Sequence, residues 1–180
     1  LDGIACMTGD GSLRGRPMQR VIGPLEAMGA RFMARSGGRM PLVIHGAKSL
    51  TPLDYASPVA SAQVKSAILL AGLAAPGETR IVEPAMSRDH TERMLARMGA
   101  TVSSEAVGTG WGVSLQGQPE LTAIDVDVPA DPSSAAFPLV AALITPGSDV
   151  RVRHICLNPA RAGLIKTLQE MGGDIDRKST

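Results

Sequence analysis

Aromatic side chains are nearly absent from this sequence: one Trp, one Tyr and two Phe in 180 residues. That excludes an aromatic platform on which nucleic-acid bases could stack. Charge of one sign is also missing. Eighteen Lys and Arg against 17 Asp and Glu leave a formal charge of +1, with no basic cluster, so no nucleic-acid surface is expected. Cysteine is limited to Cys6 and Cys156, far apart in the chain. They read as free thiols of a reducing compartment rather than as a disulfide. No apolar run is long enough to cross a bilayer and no signal peptide is recognisable, so the expected location is the cytoplasm, without a membrane partner. His45, His90 and His154 share no ligand-like spacing with the cysteines or carboxylates, which argues against a zinc site. Gly-x-Ser-x-Gly, Walker and dinucleotide fingerprints are absent. The chain starts Leu1-Asp2-Gly3 and stops at Lys178-Ser179-Thr180; both ends read as cut from something longer.

What is present is aliphatic and heavily punctuated. Hydrophobic residues make up 44% of the chain, so a core has to be built from Ala, Val, Leu, Ile and Met. The 20 glycines and 13 prolines imply short elements and tight turns. Thr8-Gly9-Asp10-Gly11-Ser12 reads as a polar loop. Val21, Ile22, Leu25 and Met28 recur at helical spacing and predict a helix over 17–28. Further helices are expected over 59–74, 89–98 and 160–171, with Asp89 capping the second. Ser133-Ser134 opens another, apolar through Leu143. Strands are expected near 30–34, 42–44, 53–55, 79–82, 100–105, 112–116, 124–128 and 150–155.

Three helix ends repeat. Leu25-Glu26-Ala27-Met28-Gly29, Leu95-Ala96-Arg97-Met98-Gly99 and Leu168-Gln169-Glu170-Met171-Gly172 all read Leu-x-x-Met-Gly, with the glycines 70 and 73 residues apart. Each glycine is placed as the residue that stops a helix. A period near 70 is too long for a solenoid and suggests a β-α-β-α-β-β unit used several times. The plainer alternative is generic helix-capping chemistry.

Chemistry concentrates at Ala60-Ser61-Ala62-Gln63-Val64-Lys65-Ser66, the polar front of an otherwise apolar helix. A helix start offers unpaired N–H groups and partial positive charge, which suits an anion. Ser61 and Gln63 add donors there. Arg16 precedes a helix-start proline, and Arg88 stands just before another helix start. Each has an ordinary reading too. Arg16 and Arg88 also read as solvated arginines and Ser61 as a simple cap. Lys65 reads as a residue snorkelling from the edge of the core.

Four stretches together carry a resemblance: Arg16-Pro17-Met18, Ala60 through Ser66, Ser87-Arg88-Asp89-His90-Thr91-Glu92, and Asp131-Pro132-Ser133-Ser134 through Leu143. They resemble the EPSP synthases, closest to the bacterial branch often called class II, and the likeness covers essentially the whole chain. Asn158-Pro159-Ala160-Arg161-Ala162-Gly163 extends it. The resemblance implies an α/β fold of repeated β-α-β-α-β-β units, an inside-out α/β barrel of two lobes, incomplete here. Residues 1–127 would be the second and third units of one lobe, and residues 128–180 the start of the other. It implies transfer of the enolpyruvyl group of phosphoenolpyruvate to the 5-hydroxyl of shikimate 3-phosphate, with release of phosphate. That reaction belongs to the shikimate pathway of aromatic amino-acid biosynthesis. The expected partners are those two small molecules, in a monomer, with no metal or organic cofactor.

Position by position, the resemblance assigns Arg16 to the phosphoenolpyruvate carboxylate and Ser61 and Ala62 to the shikimate phosphate. Gln63 would reach both substrates. Arg88 falls to the shikimate phosphate, with Ser87 a weaker candidate. Ala62 is a serine in some branches, so here its backbone N–H alone can serve. The family's lysine-serine-arginine cluster, its catalytic aspartate and its lysine-glutamate pair have no counterpart in these 180 residues. No residue is therefore assigned as general acid or base, and the chain by itself is expected to be inactive. Two alternatives stand beside this reading: a relative acting on UDP-N-acetylglucosamine, for which neither cysteine has the right context, and a non-catalytic phosphate-binding lobe.

Overall fold

The three Leu-x-x-Met-Gly ends close in one and the same way in the computed structural model, which describes residues 3–177. Gly29, Gly99 and Gly172 take φ of 109°, 98° and 93°, the left-handed region that glycine enters at least cost. At each end the glycine N–H donates to the carbonyl three residues back, on Glu26, Ala96 and Gln169, at 2.9, 3.1 and 3.0 Å. The following N–H donates to the leucine carbonyl: Ala30 to Leu25, Ala100 to Leu95 and Gly173 to Leu168, at 3.1, 3.0 and 2.9 Å. This pair of bonds is the Schellman motif, and it satisfies carbonyls the helix leaves open.

Contacts divide the chain into two compact units, Leu1–Ile124 and Asp125–Thr180. The first holds β1 (Ile4–Met7), α1 (Gly11–Gly15), α2 (Gln19–Ala27), β2 (Arg31–Arg35) and β3 (Arg39–His45). It continues with β4 (Asp54–Ala56), α3 (Ala62–Gly72), β5 (Glu78–Glu83), α4 (His90–Arg97), β6 (Val102–Val107) and β7 (Gly110–Gln116). One antiparallel sheet has the order β1-β3-β2; the other runs β4-β5-β7-β6. β4 and β5 are parallel, with α3 as their crossover, and β5, β7 and β6 are antiparallel. From β4 to β7 the chain is thus one complete β-α-β-α-β-β unit, as the glycine period suggests.

α3 is apolar nearly all round because it is covered nearly all round. Val64, Ile68 and Leu69 are buried in a core with Met28, Ile81, Leu95, Val113 and Leu115. Along β5 the alternation of a strand turns Thr79, Ile81 and Glu83 inward. Gly117 lets the chain after β7 pass close to the end of α3. A Cβ there would run into the carbonyl oxygen of Ala75 and meet that of Gly72 at 2.7 Å.

Several local expectations change. The Thr8–Ser12 loop becomes helical from Gly11, because Asp10 Oδ1 accepts the Leu13 N–H at 2.7 Å and caps α1. Asp89 stands at the cap position of α4, yet its carboxylate takes Arg93 Nε at 2.7 Å and no first-turn N–H.

The second unit contains α5 (Pro132–Ile144) and α6 (Gly163–Glu170). The strands expected over 124–128 and 150–155 do not form. A strand needs a neighbour for its backbone groups, and here the pairing is a single bridge: Ala130 N to His154 O at 2.7 Å and Cys156 N to Ala130 O at 3.0 Å. Asp131, rather than Ser133, caps α5, accepting the N–H groups of Ser133 and Ser134 at 3.2 Å each.

Candidate functional site

Ser61 opens α3. Its backbone is extended, with φ −144° and ψ 103°, and its Oγ accepts the Val64 N–H at 3.4 Å. That bond uses the hydroxyl oxygen and leaves the hydroxyl proton to donate elsewhere. The N–H groups of Ala62 and Gln63 belong to the first turn, which has no intrahelical acceptor.

Facing this helix start is the loop before α4. Ala62, Gln63 and Arg88 line one open cleft together with Ser66, His90 and Thr91, enclosing about 230 Å³. Pockets for drug-sized ligands measure roughly 300–1,000 Å³, so this cleft is smaller than those. The cleft therefore unites three of the five residues singled out in the sequence, with Ser61 next in the chain. Arg16 is not among the lining residues; it is exposed at the end of α1.

Beneath the cleft lies a buried ionic cluster. Glu83, about 1% exposed, accepts the Ser61 N–H with Oε1 and the Ser87 hydroxyl with Oε2, both at 2.7 Å. Lys65 Nζ stands 3.2 Å from Glu83 Oε2 and 2.6 Å from Glu92 Oε1. These are close charge contacts whose angles miss those of hydrogen bonds. The snorkelling expected of Lys65 is thereby corrected: the residue is fully buried, held by two carboxylates, and out of reach of any ligand. A buried ammonium is tolerated only with such pairing. Ser87 changes as well. Its proton goes to Glu83, so it can only accept, which unfits it as a donor to phosphate.

Three cleft residues escaped the sequence reading. Ser66 stands one turn after Gln63, a spacing that puts the pair on one face of α3, and Thr91 lies in the first turn of α4, three positions after Arg88. Their hydroxyls meet at 2.6 Å across the cleft floor. His90 adjoins Arg88 directly. Arg20, which donates to Gln63 Oε1 at 2.6 Å from 43 positions away, had no local signal at all. Among the described residues, no group of three or more His, Cys, Asp or Glu is placed to hold a metal ion. No helix among them is long and apolar enough to cross a membrane.

A family model for EPSP synthase (3-phosphoshikimate 1-carboxyvinyltransferase) matches residues 1–180. The chain belongs to the EPSP synthase family. Among curated relatives, the 3-phosphoshikimate 1-carboxyvinyltransferase of Afipia carboxidovorans is 57% identical over 173 residues, covering 96% of this chain and 39% of that protein. The corresponding protein of Granulibacter bethesdensis is 61% identical over 173 residues, covering 95% and 38%. The chain thus spans about two fifths of the length of these relatives. In structure it is similar to the EPSP synthase of Acinetobacter baumannii, with a TM-score of 0.82 at 45% identity over 99% of this chain and 39% of that one. The enolpyruvyl transferase NikO of Streptomyces tendae matches with a TM-score of 0.75 at 18% identity, a likeness of fold.

Proposed function

We propose that this chain is the substrate-binding part of a 3-phosphoshikimate 1-carboxyvinyltransferase, and that its cleft takes the phosphate of shikimate 3-phosphate. The observation that carries this reading is the convergence of Ala62, Gln63 and Arg88 on one cleft at a capped helix start. Ser61 donates its hydroxyl proton to the phosphate, the first-turn N–H groups add two donors, and Arg88 adds a planar cation. Gln63 reaches on to phosphoenolpyruvate, and Arg16 holds the phosphoenolpyruvate carboxylate. In the whole protein the 5-hydroxyl of shikimate 3-phosphate adds to phosphoenolpyruvate, and the tetrahedral intermediate expels phosphate. The residues here contribute by holding two anions together against their repulsion, which is positioning and electrostatic stabilisation.

In this reading Leu1–Ile124 belongs to one lobe and the unit from Asp125 starts the next. The change of compact unit between Ile124 and Asp125, close to the expected boundary at 127, supports it. The 180-residue chain alone binds but does not turn over, since no general acid or base is assigned within it. The test is a phosphate-release assay. The full-length protein carrying this chain should release phosphate only when both substrates are present, and the 180-residue chain should release none. A full-length protein inactive with both substrates would overturn the assignment.

A further inference from the structure

Arg20 lies on α2 and Gln63 on α3, both exposed. Arg20 Nη2 donates to Gln63 Oε1 at 2.6 Å. An arginine has donors only, so this contact fixes which end of the amide faces it. Gln63 Oε1 is turned to the guanidinium, and Nε2 is what remains for the cleft that Gln63 lines. Without that clamp the amide can turn over and present an oxygen, which repels an anion. The bond is charge-assisted and short, so it belongs to the stronger class of hydrogen bond. Arg20 itself is not among the residues lining the cleft.

We infer that Arg20 is a positioning residue for the anion cleft: it holds the Gln63 amide with its N–H donors toward the ligand. The inference rests on the substrate site proposed above. It assigns to Arg20 a role exerted through Gln63, distinct from that of a direct phosphate ligand.

The experiment is a double-substitution cycle on the full-length protein carrying this chain, read by calorimetry with shikimate 3-phosphate as the probe. Arg20→Met should weaken binding roughly three- to tenfold, the effect of one hydrogen bond. Arg20→Lys keeps a donor and should restore most of the affinity. In a Gln63→Leu background, Arg20→Met should change nothing further. The same loss in that background would show that Arg20 acts directly as a charge, and an unchanged affinity on the native background would remove it from the site; either overturns the inference. An independent reading comes from the ligand-free protein. The side-chain amide resonances of Gln63 should shift in Arg20→Met, and unmoved resonances overturn the inference whatever the binding data. Failure of the unsubstituted protein to bind the probe would count against the proposed site instead, and the amide resonances would still decide the role of Arg20.

Discussion

Glu83 Oε1 accepts the backbone N–H of Ser61 at 2.7 Å. An inward-facing residue at the end of β5 thus fixes the residue that caps α3. The second oxygen holds Ser87, one position before Arg88, so a single carboxylate ties both walls of the cleft. Lys65 neutralises it from below. Glu83→Ala would leave two donors without their acceptor and Lys65 with one carboxylate fewer. Removing one partner of a buried pair costs about 3–5 kcal/mol. The expected outcome is a loss of that size in the urea unfolding free energy of the chain. Lys65→Met, which strands two buried carboxylates, should cost a similar amount. An unchanged unfolding midpoint in either variant would show that the cluster is not what holds this region.

Arg88 can be separated from that scaffold, because it is exposed and lines the cleft. Arg88→Ala should leave the unfolding midpoint near that of the unsubstituted chain. Its affinity for shikimate 3-phosphate should fall by roughly 1.5–3 kcal/mol, the value of a hydrogen bond to a charged group. Calorimetry checks both halves of the statement on one sample. Equal affinities would take Arg88 out of the site.

Arg16 should behave differently, since it does not line the cleft with Gln63 and Arg88. In the full-length protein, Arg16→Ala should raise the KM for phosphoenolpyruvate roughly tenfold or more, the loss of a two-pronged carboxylate contact. The dissociation constant for shikimate 3-phosphate should stay the same. A parallel loss for both substrates would place Arg16 on the phosphate rather than on the carboxylate.

Much of this was legible in the chain because it depends on local chemistry. The Leu-x-x-Met-Gly ends are Schellman motifs because a left-handed C-terminal position selects glycine, and Ser61 caps α3 because a serine before an apolar run does so. The cleft itself was half legible. Ala62 and Gln63 stand in the first turn of α3 and Arg88 just before α4, places that the sequence marks through its helix starts. Glu83 and Arg20 could not be read in the same way. Glu83 is buried 22 positions from Ser61, and Arg20 meets Gln63 across 43 positions. Lys65 was misplaced for a related reason: its sequence neighbours show an edge, while its carboxylates come from β5 and α4. The strands expected over 150–155 and 124–128 failed because alternation of apolar residues says nothing of whether a partner strand is there.

Asp131 gives a test of the second unit by pH. Its carboxyl is held below the ordinary value of 3.8, first by the Ser133 N–H bond, then by the hydroxyl and N–H of Ser134 and by the Arg161 guanidinium. Arg161 Nη2 lies 2.7 Å from Oδ1 and also donates to the Ser133 hydroxyl at 2.6 Å. A carboxyl with a depressed folded value adds stability that is fully present above its unfolded value. That stability is lost as pH falls through the folded value. The start of α5 should therefore hold its cap at neutral pH and release it as the pH drops below 3.8. Amide hydrogen exchange at Ser133 and Ser134, corrected for the intrinsic pH dependence, should accelerate over that range. Asp131→Asn keeps an acceptor but cannot titrate, so its corrected exchange rates should stay flat there. Identical profiles in the two proteins would mean that Asp131 does not control the start of this helix.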